Sequence, residues 1–189
     1  MADEANVPDL STPGRTFGWW DMFVHPDEDP REEKGWTGER DMLAGFARVN
    51  RQTFELKCQG LDAEGMATRG IEPSNLSLLG LLRHLADVER YWMGRVMAGQ
   101  DLPWLHEGEA AWDVKADPAM VERAWSDWRT AVAFSEEFVA NAASMDVTGV
   151  SGGKPEELRS VMVRLIEEYA RHCGHADFLR ERVDGRVGQ

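Results

Sequence analysis

The feature that most constrains this chain is its last long apolar stripe. Leu158, Met162, Leu165, Tyr169, His172, Ala176, Leu179 and Val183 recur at alternating spacings of four and three. That is the seam of a helix packed against other helices in a bundle. Three further segments read as amphipathic helices. Residues 39–58 carry Leu43, Phe46, Ala47, Phe54 and Leu56 among polar neighbours, with Gly60 as the stop. Residues 76–97 are strongly apolar, follow Pro73-Ser74-Asn75 with Ser74 or Asn75 as the expected N-cap, and end before Gly99. The next helix starts near Asp117-Pro118, proline being tolerated in a first turn, and runs to residue 143. The Gly-rich break TGVSGGKP then leads into the last helix, residues 155–183. No strand-type alternation of useful length, internal repeat or Gly-rich phosphate loop is visible. The predicted fold is therefore all-α, a four-helix bundle with connections of varied length.

Residues 1–35 stand outside this pattern. Rich in Pro, Gly and acidic residues (VPDLSTPG, HPDEDPREEKG), they read as an irregular N-terminal arm, with residues 36–189 as the bundle domain. Within the arm, FGWW at residues 17–20 is apolar enough to dock onto the domain or a neighbouring subunit. A length of 189 residues suits one domain with a sizeable core.

Charge removes whole classes of partner. With 34 acidic against 21 basic residues the net charge is −13, so no excess of cations exists to displace counterions from a nucleic acid or to seat the chain on an anionic membrane. No apolar run approaches the roughly 20 residues that span a bilayer. The N-terminus MADEANVPDL lacks the basic and apolar regions of a secretory signal. Cys58 and Cys173 are too few for a disulfide scaffold and read as small buried side chains in a reducing compartment. The expected location is the cytoplasm.

His172 replaces an apolar residue in the core-facing stripe, which costs about 1–3 kcal/mol unless something bonds it. Glu168 lies one turn earlier, roughly 6 Å away, and His175 three residues later. Glu168 and His175 are about 10.5 Å apart along the axis, too far to bind one ion together. The chelating pair is thus Glu168/His172 or His172/His175. A third ligand should come from another helix. His84, in RHLADVERYW, sits beside the seam Leu78, Leu81, Leu85, Val88, Trp92, Val96 and can turn inward. His25 and His106 fall in loops with no comparable setting. A hydrogen-bonded core histidine with an ordinary i, i+4 helix pair is the rival explanation of the same residues. A His–Glu–His set leaves zinc an open position, the arrangement of a catalytic site.

SLLGLLRHLADVERYWMGRVMAG and, much later, IEEYARHCGHADFLRERVDG resemble the DinB-like metal-binding four-helix-bundle superfamily. More narrowly they resemble an actinobacterial branch of unknown function related to mycothiol-dependent maleylpyruvate isomerases. The segments WTGERDMLAGFARVNRQTFELKCQGL and PSNLSLLG fit as well, so the resemblance covers residues 36–189. In that superfamily a histidine of the second helix and an HxxxH pair on the last bind a divalent metal. Here the first position of the pair is Glu168, as in the isomerase branch. The resemblance implies His84, Glu168 and His172 as ligands of zinc or nickel, with His175 as a candidate catalytic or supporting group. It further implies a thiol-dependent S-transferase or isomerase, in which the metal holds a low-molecular-weight thiol such as mycothiol as thiolate against a small electrophile. A homodimer is expected by analogy. Two alternatives stand beside it. One is metal-assisted hydrolysis, for which His175 and Asp87 are the nearest general-base candidates, Asp87 reading otherwise as a solvated helix residue or a partner of His84. The other is a non-catalytic metal- or ligand-binding protein whose tryptophans, among them Trp19, Trp20, Trp36, Trp104 and Trp112, line a pocket.

Overall fold

The long helices begin and end where the chain's local chemistry permits. Helix α1, Glu39–Cys58, has Glu39 and Asp41 in its first turn and Lys57 in its last, matching the helix dipole. Helix α4, Pro118–Asn141, opens with Asp117 accepting from the Ala119 amide and with proline in the first turn. Helix α5, Leu158–Asp184, stops at Gly185, whose φ of 76° is the left-handed cap that glycine adopts without strain. A one-turn helix α2, Ala63–Ala67, and helix α3, Leu78–Glu89, lie between α1 and α4. The cap of α3 is Ser77, whose Oγ accepts from the Gly80 amide at 3.1 Å, and not Ser74 or Asn75 as the sequence suggested. Ser74 instead caps its own turn, its Oγ accepting from the Leu76 amide.

The computed structural model describes residues 24–25, 29–31 and 35–187. The FGWW motif and its proposed docking lie outside the described residues. Among them the architecture is an all-α bundle. Helix α1 packs most extensively on α5 and α3 on α4, α3 and α5 also touch, and the α1/α4 seam is the loosest. Helix α3 does not end at Glu89: residues Arg90–Met97 continue it with wider π-helical turns, as in the Ala98 amide bonding the Met93 carbonyl.

One element was not expected. Strands β1, Thr148–Ser151, and β2, Lys154–Glu157, form an antiparallel hairpin closed by Gly152-Gly153, both with positive φ. Such a turn matches the strand twist and has both central residues in the left-handed region, which glycine enters without strain. The hairpin lies on the π-helical segment and delays α5 to Leu158. Gly149 is so close to it that a Cβ there would stand 2.1 Å from the Val96 carbonyl oxygen.

Two apolar clusters fill the bundle. One gathers Phe54, Leu78, Leu82, Leu85, Trp128, Tyr169 and Leu179, and the other Leu43, Met93, Val139, Leu158, Met162 and Leu165. Between them along each helix runs a buried polar layer. Arg51 donates to both oxygens of Glu89 at 2.7 and 3.0 Å, Ser135 donates to Glu89, and the Trp128 indole donates to the Tyr169 hydroxyl at 2.8 Å. Every long helix contributes at least one of these groups, so their pairing fixes the relative heights of the helices. Cys58 and Cys173 are buried, and burial pushes both thiols well up, Cys173 to about 12. They are packing residues, as expected.

Candidate metal centre

His84 projects from the middle of α3, and Glu168 and His172 from one face of α5 a single turn apart. The two helices pack against each other at this height, so three side chains from distant parts of the sequence converge. One ligand atom from each lies within 4.8 Å of the other two. Glu168 Oε2 is 3.7 Å from His84 Nε2 and 3.4 Å from His172 Nε2. Both separations exceed an ordinary N–H···O bond. They match the spacing of two donors on one tetrahedral ion, about 3.4 Å apart when each bond is near 2.1 Å. Donor types and spacing both fit zinc or a similar divalent ion, with three protein ligands.

Neighbouring groups hold these donors in that orientation. Arg171 donates to Glu168 Oε1 at 2.7 Å, which leaves Oε2 facing the two imidazoles. His175 Nδ1 lies 3.2 Å from His172 Nδ1. With His172 as the donor of that bond, its Nε2 carries the lone pair that faces Glu168, the tautomer a metal ligand requires. His175 thus touches the cluster through His172 and does not enter it. Burial lowers the pKa of His172 to about 4, with His84 and His175 adding to the effect and Glu168 opposing it. Burial likewise lowers His84, against the pull of Glu168. Both imidazoles are therefore held neutral, with lone pairs free, at neutral pH.

The opposite side of His84 is covered by the connection between the π-helical segment and α4. Its one-turn 3₁₀ helix, Gly108–Ala111, brings Trp112 against His84, ring centroids 5.2 Å apart. The connection runs along α3, and the hydrogen bonds that anchor it meet mostly its own backbone. Arg90 donates to the Pro103 carbonyl, Asp87 accepts from the Leu105 and His106 amides, Arg69 donates to the Trp112 carbonyl and Arg83 to that of Asp113. Asp87 is not the solvated helix residue or His84 partner of the sequence reading: it is buried and turned to this connection. His106, a loop histidine with no notable setting in the sequence, has its Nδ1 2.9 Å from Asp87 Oδ2. No spacing rule links residues so placed, since only the path of the connection brings them together. Of the tryptophans, Trp112 borders the cluster, Trp104 stacks on Tyr91, and Trp36 packs on Phe46. Trp19 and Trp20 lie outside the described residues.

No helix among the described residues is long and apolar enough to cross a membrane. No curated protein matches the chain. A crystal structure described as the conserved protein of locus from Enterococcus faecalis superposes with a TM-score of 0.54 at 18% identity, covering 76% of this chain and 96% of that one. That likeness is one of fold. The family model described as mycothiol-S-transferase matches residues 42–185, from within α1 to the end of α5, and includes His84, Glu168 and His172. The chain belongs to the mycothiol-S-transferase family, a DinB-like family.

Proposed function

We propose that this protein is a metal-dependent S-transferase that joins mycothiol to a small electrophile, with His84, Glu168 and His172 as ligands of a divalent ion, zinc or nickel. The observation that carries the reading is the Glu168 Oε2 placed 3.4 and 3.7 Å from two neutral imidazole nitrogens. These donors are too far apart to satisfy one another and correctly spaced to share an ion. When bound, such an ion supplies a Lewis acid that lowers the pKa of a thiol at its remaining position. The chain's own part is to hold and shape. Arg171 and His175 orient Glu168 and His172, while Trp112 covers His84 and narrows access for water. The unit that does this is the bundle of residues 36–189, with residues 1–35 as an appended arm.

The test has two parts. Metal analysis of protein purified without added metal should find about one ion per chain in the wild type and none in His84→Ala or His172→Ala. Zinc-loaded protein given mycothiol and a bromobimane should form the thioether faster than chelator-treated protein. Full metal content in either variant refutes the ligand set, and equal rates with and without metal refute the metal dependence.

A further inference from the structure

We propose that His106, held by Asp87, is the residue that takes the thiol proton in this site. The inference rests on the transferase reading above, and three observations lead to it. First, Asp87 is buried and spends its carboxylate entirely on the connection, accepting from the Leu105 and His106 amides at 2.8 and 3.1 Å and meeting His106 Nδ1 at 2.9 Å. The two backbone bonds alone would fasten the connection, yet the third fixes a ring. A carboxylate acceptor makes Nδ1 the protonated nitrogen and leaves Nε2 a basic lone pair. Second, no described residue bonds that Nε2, and it is not among the sealed side-chain atoms left without a partner. The ring is only 13% exposed, so a mostly buried imidazole keeps one nitrogen open. Third, the dyad is tied to the helix and the connection that border the cluster. Asp87 follows His84 by one turn on the same face of α3, and the connection that carries His106 also lays Trp112 on His84.

A base oriented by a third group is the arrangement acid–base chemistry needs. The step balances simply. The thiol S–H proton passes to His106 Nε2, the sulfur electron pair forms the S–C bond to the electrophile, and the carbon–leaving-group bond breaks with its electron pair on the leaving group. The proton then passes from Nε2 to the leaving group or to water, restoring the neutral ring. His175 does not share this role: with His172 donating to its Nδ1, its Nε2 carries the proton and no lone pair is left for a base.

The test separates chemistry from fastening. His106→Asn keeps a side-chain N–H for Asp87 and deletes Nε2. With zinc, mycothiol and a bromobimane, it is expected to retain metal content and KM while kcat falls by more than about tenfold. A smaller loss in kcat, or a fall accounted for by lost metal, overturns the proposal. Long-range ¹⁵N–¹H spectra of the zinc-loaded wild type give a readout independent of turnover and of the variant's folding. His106 should show the Nδ1–H tautomer, and its Nε2 resonance should move on addition of mycothiol or dithiothreitol. An Nε2–H tautomer, or an Nε2 indifferent to both thiols, overturns the assignment. If the wild type binds zinc but produces no thioether, the transferase reading fails and the dyad is judged on these spectra alone.

Discussion

Acidifying the metal-free protein from pH 7 to pH 5 should destabilise it through His172, and the size of the effect follows from where that ring sits. His172 is held by burial at a pKa of about 4 against an ordinary value of 6.5. The unfolded chain therefore takes up a proton near pH 6.5 that the folded chain refuses until about pH 4. Stability due to the neutral ring is complete above the upper value and is lost as pH falls between the two. At pH 5 the loss is about 2 kcal/mol for this one group. The side chain is only 9% exposed, so solvent screening removes little of it. His84 shifts in the same direction and adds to the loss. The assay is urea unfolding of chelator-treated wild type and His172→Gln at pH 7, 6 and 5. Other groups titrate in both proteins, so the difference between the two series isolates the ring. With a slope of about 2 kcal/mol per molar urea, the wild-type midpoint should fall by about 1 M more than the variant's. Parallel midpoints would refute the claim that the fold holds His172 neutral, and with it the idea that the site is poised for a metal. Zinc should oppose the acid effect, since ion and proton compete for the same lone pair.

Other perturbations give separate readings of the same architecture. Glu89→Gln removes the buried charge partner of Arg51, leaving it only the exposed Glu136 at 3.5 Å, and should cost about 3 kcal/mol or more in denaturant unfolding, whereas Arg51→Met with Glu89→Leu should recover most of it. A double variant no more stable than the single one would show that the pair does not act as a unit. Gly149→Ala drives a Cβ into the Val96 backbone and should lower Tm by about 5 °C, with an unchanged Tm showing that the hairpin shifts freely. Arg171→Ala frees Glu168 Oε1 and should weaken zinc binding by about tenfold in competition with a chelator, without loss of fold. Equal affinity would mean that Glu168 needs no support.

Much of this could be read from the chain because helices announce themselves locally. The alternation of four and three named buried residues of α5 from Leu158 to Leu179, though Val183 is only half-buried and Val161, Cys173 and Arg180 are buried beside that stripe, and the bounds of α1 matched those expected. His84, Glu168 and His172 were reached by combining that face with a resemblance to known sequences, since spacing alone left His175 as a rival to Glu168. The hairpin escaped because Lys154-Pro155-Glu156-Glu157 has no apolar alternation, though Gly152-Gly153 was a usable turn signal. The wider turns after Glu89 carried no local signal; Leu102 packs on Gly94 there, and the hairpin on Val96. The Asp87–His106 pair is of the same kind. It depends on where a connection is laid, and local periodicity does not encode a route.

That route also bears on how such a site can diversify. The hydrogen bonds that grip the connection over α3 meet main-chain atoms of Pro103, Leu105, His106, Trp112 and Asp113, apart from the His106 ring, while Leu102 packs on Gly94, Trp104 on Tyr91 and Trp112 on His84. The fastening therefore asks little of the side chains at the exposed positions between those contacts. Within residues 98–111, Ala98, Asp101, Glu107, Glu109 and Ala110 are exposed and take no part in these contacts, so they can be varied while the bundle and the three donors stay as they are. A library confined to those positions, selected for different electrophiles, explores substrate preference without searching the fold.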